Sequence, residues 1–156
     1  MDVKRIVLRP DYCIGCRSCE AACRSRFKGE ARIRHGEVTT DALLPQACRH
    51  CEEPLCAAAC PFQVIVRNPE TGIVRKSDFH CVGCRSCALA CPFGVIPPTV
   101  VRHMSQKCTL CGDRPEGPRC ATTCPTGALQ FTEDDKLAEK KTGVSFAVRS
   151  LHGRRQ

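Results

Sequence analysis

The stretch Cys81–Ile96, CVGCRSCALACPFGVI, sets cysteines at Cys81, Cys84, Cys87 and Cys91 and follows the last of them with proline. Nearly the same phrase stands at Cys13–Phe27, CIGCRSCEAACRSRF, with Cys13, Cys16, Cys19 and Cys23. Two further groups, Cys48, Cys51, Cys56, Cys60 and Cys108, Cys111, Cys120, Cys124, complete a set of sixteen cysteines with none left over. The apolar fraction of 42% counts those cysteines; without them only about a third of the 156 residues are ordinary hydrophobes, with one Tyr and no Trp. A chain this short is already marginal in the apolar surface it buries. Disulfides, zinc or iron-sulfur clusters are therefore the candidates for holding it together.

Disulfides suit a secreted scaffold. The start MDVKRIVLRPDYC has no apolar run long enough for the core of a signal peptide, and no stretch reaches the length of a membrane span. The expected setting is cytoplasmic and reducing, where stable disulfides are rare. Zinc usually takes two C-x2-C pairs a dozen or more residues apart, each supplying two corners of a tetrahedron. The first and third groups instead read C-x2-C-x2-C-x3-C, the bacterial ferredoxin run, in which three cysteines wrap one 4Fe-4S cluster and the fourth reaches its neighbour. Gly15 and Gly83 supply the backbone freedom for that curl. The fourth cysteine is expected at the start of a short helix (EAAC, ALAC). Pro61, Pro92 and Pro125 then turn the chain away without an unpaired N–H, and aliphatics beginning a strand follow in CPFQVI, CPFGVI and CPTGAL. Phe62 and Phe93 read either as shields over a cluster face or as core filling. After Cys23 stands Arg24, so a helix is expected to continue through RSRFKGE.

The four groups, and especially CRHCEEPLCAAACP (Cys48–Pro61), CVGCRSCALACPFG and KCTLCGDRPEGPRCATTCPTGAL (Lys107–Leu129), closely resemble the four-cluster ferredoxin-like subunits of bacterial and archaeal oxidoreductases. Members of that family serve DMSO reductase, formate dehydrogenase, formate hydrogenlyase, carbon monoxide dehydrogenase and tungsten-containing aldehyde oxidoreductase. The resemblance implies an α+β fold of two dicluster ferredoxin-like modules, one nested in the other. The outer module would comprise residues 1–47 and 92–131 and the inner one 48–91, with a C-terminal arm at 132–156. It also implies four 4Fe-4S clusters. Cys13, Cys16, Cys19 and Cys124 would hold one, and Cys108, Cys111, Cys120 and Cys23 its partner; Cys48, Cys51, Cys56 and Cys91 a third, and Cys81, Cys84, Cys87 and Cys60 the fourth. The implied role is a non-catalytic relay of single electrons. It would run between a molybdenum or tungsten catalytic subunit, such as an aldehyde oxidoreductase or formate dehydrogenase, and a soluble acceptor or donor, a flavin-containing subunit among the candidates. Carbon monoxide dehydrogenase or hydrogenase is the alternative catalytic partner. Self-stacking of copies into open chains, clipped by the 132–156 arm, is a further partner expectation.

The residues agree with the nesting in places. QVIVRNPETGIVRKSDFH, between Cys60 and Cys81, reads as a β-hairpin around Asn-Pro-Glu-Thr-Gly. RIVLRP near the start and GALQF near residue 129 read as strands that pair to close the outer module.

A formal net charge of +8 on its own suggests nucleic acid or an anionic surface. Four oxidised clusters with their thiolates carry about −8 together, which brings the whole near neutral. Arg17, Arg49, Arg85 and Lys107 stand beside ligand cysteines, where positive charge favours the reduced cluster; each also reads as a solvated surface cation. His50, His80 and His103 flank the groups as surface residues or as supports rather than ligands. No P-loop, G-x-G-x-x-G or catalytic triad is present. From other classes there remain a zinc-stabilised interaction or nucleic-acid module, and a protein whose clusters are purely structural.

Overall fold

Residues 4–28, 30–39, 42–77, 79–96 and 107–132 are described by the computed structural model. The arm from residue 133 on and His103 lie outside the described residues. By its contacts the chain divides into a unit made from two segments, Met1–Gln46 and Leu110–Gln156, and a unit made from one, Ala47–Thr109. Both are α+β, built from short strands and short helices.

In the two-segment unit, β1 (Arg5–Leu8) pairs antiparallel with β6 (Leu129–Thr132), Ile6 opposite Phe131 and Leu8 opposite Leu129, as the two apolar runs predict. The Arg9 N–H extends the ladder to the Ala128 carbonyl at 2.7 Å. A single 3-10 turn (Pro10–Tyr12) leads into the first cysteine loop. Helix α1 (Ser18–Arg26) packs against α4 (Arg119–Thr122) and against β2 (Ile33–Thr39). Strand β2 pairs with β3 (Ala42–Ala47), a pairing that no reading of the sequence anticipated. The buried set in this unit is Ile33, Leu110, Leu129, Ala31 and Ala128 together with Cys19, Cys23, Cys111 and Cys120.

In the one-segment unit, β4 (Ile65–Arg67) and β5 (Val74–Lys76) form the predicted hairpin, Val66 opposite Arg75. Its turn is tied by Asn68, whose Oδ1 accepts the N–H groups of Glu70 at 2.8 Å and Thr71 at 2.9 Å. Val64, Ile65, Val74 and Cys87 make the core, with Cys56, Cys60, Cys81 and Ile96 packed on it. Helix α2 (Leu55–Ala58) lies against α3 (Ser86–Leu89) and β4.

Two expectations need correction. The short helices begin before the third cysteine, not at the fourth. Cys56, Cys87 and Cys120 sit inside α2, α3 and α4, while Cys60, Cys91 and Cys124 follow each helix end by two residues. In group one both Cys19 and Cys23 are helical. The cause is spacing: in every group the third and fourth cysteines are four apart, about one helical turn, so the turn itself carries the pair. The helix after Cys23 is longer than the others, yet it stops at Arg26 rather than running through RSRFKGE. Phe27 caps it and Lys28 takes a left-handed backbone (φ 48°), which no α-helix continues. Residues 97–106, where a strand after CPFGVI would run, lie outside the described residues, whereas the strands expected after CPFQVI and CPTGAL form as β4 and β6.

Candidate metal centres

The repeated phrase folds twice into the same curl. Gly15 (φ 66°) and Arg17 (φ 59°) in one loop match Gly83 (φ 72°) and Arg85 (φ 68°) in the other, so each C-x-G-C-R turns left-handed twice within three residues. Glycine accepts this freely and arginine does not, so the strain at Arg17 and Arg85 is stored at the mouth of the loop. Each loop thereby opens a hollow. One, of about 320 Å³, is lined by Cys81, Cys84, Cys87 and, from another group, Cys60. The second, of about 280 Å³, is lined by Cys13, Cys16, Cys19 and, again from another group, Cys124. A zinc ion holds its sulfurs at about 2.3 Å from one point. Among the described residues no three His, Cys, Asp or Glu side chains gather in that way.

The surroundings treat sulfur as an anion to be stabilised. The backbone amides of Leu129, Thr126 and Ala128 and the Thr126 hydroxyl act on Cys124; burial pushes its thiol up, but these hydrogen bonds together hold it below the usual value. The Arg32 N–H donates to Cys23 Sγ at 3.2 Å, and hydrogen bonds with the Ser86 side chain and backbone hold the Cys84 thiol below its usual value. Where such donors are outweighed, burial and neighbouring thiols dominate: Cys19 is pushed up to about 11 by burial and by Cys13, Cys124 and Cys16. Cys48 is raised by burial and by Cys56 and Cys51, with Lys107 opposing. A cluster of thiols that resists ionisation on its own is one that bound iron, which deprotonates a coordinating thiol outright, would stabilise.

Of the remaining predicted ligands, Cys111 and Cys120 are buried, with Arg26 acting on Cys111 and ion-paired to Asp113. Cys91 is half-buried after α3, and Cys108 belongs to the Ala47–Thr109 segment. Phe62 is half-exposed and lines the Cys60 hollow, so it is not core filling; Phe93 lies under the Arg49 guanidinium at 4.5 Å. His50 is buried, its Nδ1 accepting the Val74 N–H at 2.9 Å. Its Nε2 therefore carries the hydrogen, and that atom is buried with no partner among the described residues, an orphan donor that a sulfide-bearing group would satisfy. Burial and Lys107 push the His50 ring down to about 4, so it is neutral. His35 escaped the sequence reading: its side chain is 3% exposed, lines the Cys13 hollow and meets Glu20 at 3.2 Å. It stands outside every motif, so only the packing of β2 reveals it.

The family model of the 4Fe-4S dicluster domain matches residues 38–134, and that of a 4Fe-4S binding domain matches residues 10–26. The chain belongs to the 4Fe-4S dicluster family. Between them the two matches take in every cysteine. Among relatives, the putative electron transport protein YsaA of Escherichia coli (strain K12) is 37% identical over 148 residues, 85% of this chain and 91% of the relative. Hydrogenase-4 component A of the same strain is 29% identical, covering 85% of this chain and 83% of the relative. A sulfite dehydrogenase subunit of Allochromatium vinosum is 27% identical, covering 95% and 75%. This 4Fe-4S protein is thus an iron-sulfur electron-transport protein whose relatives include subunits of oxidoreductases. No helix among the described residues is long and apolar enough to cross a membrane.

Proposed function

We propose that the chain is a four-cluster relay, passing electrons singly between a catalytic oxidoreductase subunit and a soluble acceptor in the cytoplasm. The observation that carries this is the pair of hollows, each lined by three cysteines of one group and one of another, the three-plus-one set expected where paired 4Fe-4S clusters exchange a ligand. On that pattern Cys13, Cys16, Cys19, Cys124 and Cys81, Cys84, Cys87, Cys60 hold one cluster each. Cys108, Cys111, Cys120, Cys23 and Cys48, Cys51, Cys56, Cys91 hold their partners. A unit built from two segments that flank the other unit in sequence supports the nested arrangement.

A 4Fe-4S cluster, when bound, supplies one-electron exchange without making or breaking a substrate bond. The protein's part is to ligate through cysteine sulfur, to donate amide hydrogen bonds to it, to set the local charge, and to wrap the site in short elements. Sixteen thiols require a reducing compartment to stay free for iron. A molybdenum or tungsten enzyme is the catalytic partner we favour, from the motif resemblance; relatives named as a hydrogenase-4 component and a sulfite dehydrogenase subunit support an oxidoreductase partner of either class.

Anaerobically purified protein should be brown, carry as many irons as cysteines, and show the paramagnetic resonance of reduced 4Fe-4S clusters after dithionite. A colourless, zinc-loaded protein would end this reading. A tagged copy should bring down a catalytic subunit holding molybdenum or tungsten; recovery of a hydrogenase instead would move the assignment to that class.

A further inference from the structure

Each hollow has an arginine in its wall. Arg17 and Arg85 occupy the same place in the repeated loop, and each lines its own hollow, so their contributions to the two sites match. What differs is everything else that carries charge. The Cys13 hollow has His35 in its wall, tied to Glu20, and the influences on Cys13 and Cys19 are burial, backbone amides and other cysteines, with no cation among them. The Cys81 hollow has a second cation, Lys76, in its wall. Beside it stands Lys107, only 8% exposed, one of three buried polar residues among those described. Lys107 acts on Cys48 and on Cys87, which belong to different groups, whereas Lys76 acts on Cys87. Burying an ammonium group is costly unless anions face it, and bound clusters with their thiolates are such anions.

We infer that Lys107 and Lys76 set the cluster pair of the Ala47–Thr109 unit at higher reduction potential than the Cys13 cluster. Lys107 acts on both members of that pair, Lys76 on the Cys81 member alone. A fixed positive charge lowers the energy of the reduced cluster more than that of the oxidised one, because reduction adds a negative charge beside it. The effect is strong for Lys107 because a buried charge is poorly screened, and weaker for the half-buried Lys76. The pair becomes the place where an electron rests, and the Cys13 cluster the place that yields it. This inference rests on the cluster assignment proposed above.

The test is a redox titration of the holoprotein followed by paramagnetic resonance, with signals assigned through Cys60→Ser and Cys124→Ser. Lys107→Met should shift downward the potentials of both clusters of that pair, and that of the cluster assigned to the adjacent Cys108, and leave the Cys13 cluster in place, while Lys107→Arg restores them. Lys76→Gln should lower the Cys81 cluster alone. The Lys107 shift should persist in 1 M salt, where exposed charges are screened within about 3 Å, and the Lys76 shift should shrink. Iron and sulfide contents are read in parallel. Absence of 4Fe-4S signals in the unaltered protein would defeat the cluster assignment. Full signals whose potentials ignore both substitutions would defeat this inference alone. Should Lys107→Met fail to load iron, Lys76→Gln decides: an unmoved Cys81 cluster overturns the proposal.

Discussion

At Gly83 the backbone sits at φ 72°, a region that costs an L-residue about 1–2 kcal/mol. Arg85, two residues on, already bears such strain, so the loop has little left to absorb a second penalty. Gly83→Val is expected to empty the Cys81 site of iron while the Cys13 site stays filled; iron content and cluster-resolved spectra check this. Cys124→Ser makes a sharper demand on the ligand sets. It should disturb the cluster of Cys13, Cys16 and Cys19 rather than that of Cys108, Cys111 and Cys120, and the reverse pattern in cluster-resolved spectra would show the ligation to be misassigned. The third residue after the fourth cysteine is also left-handed in all three proline-bearing groups, at Gln63 (φ 51°), Gly94 (φ 58°) and Gly127 (φ 66°). Each donates its N–H back to the cysteine carbonyl, at 3.2, 3.2 and 3.3 Å, so one turn ends three of the cluster loops.

Single-turn helices such as α2, α3 and α4, four residues each, cannot persist on propensity, since the first hydrogen-bonded turn is the unfavourable one. Even α1, with nine residues, has only an exposed Glu20–Arg24 pair at 3.2 Å to help it, worth about 0.3–0.5 kcal/mol. These helices are held from outside, through the cysteines they carry. The β4–β5 hairpin is different, because its turn closes on itself. Asn68→Ala removes two accepted hydrogen bonds and should cost about 1 kcal/mol, seen as faster amide exchange at Glu70 and Thr71 with cluster content unchanged. The β2–β3 pair was illegible for a physical reason: Gly36 lies within β2 and Pro45 within β3, and both residues argue against a strand where a pairing partner is unknown. A two-stranded sheet has only edge strands, where proline is tolerated.

For the molecule as a whole, the large aliphatics buried among the described residues are Ile33, Val64, Ile65, Val74, Leu110 and Leu129, and five cysteines share the interior with them. That is too little apolar surface to offset the ordering of so many loops. Folding should therefore follow metal loading. Iron chelation under air is expected to abolish the circular-dichroism signal of helix and strand, and a cluster-free sample that kept it would show a fold independent of iron.

Cysteine spacing determined the cofactor class by itself, because a tight C-x2-C-x2-C curl is a local demand on a few successive dihedrals. The β4–β5 hairpin and the β1 and β6 strands were legible for the same reason, each resting on its own short run of apolar residues. Tertiary structure alone decided which cysteine of one group faces the hollow of another, as Cys60 and Cys124 do. It alone set the burial of Lys107 and brought His35 into a cysteine-lined wall. Those facts depend on segments far apart in the chain coming to one place, and no local periodicity encodes the charge or the depth a side chain meets there.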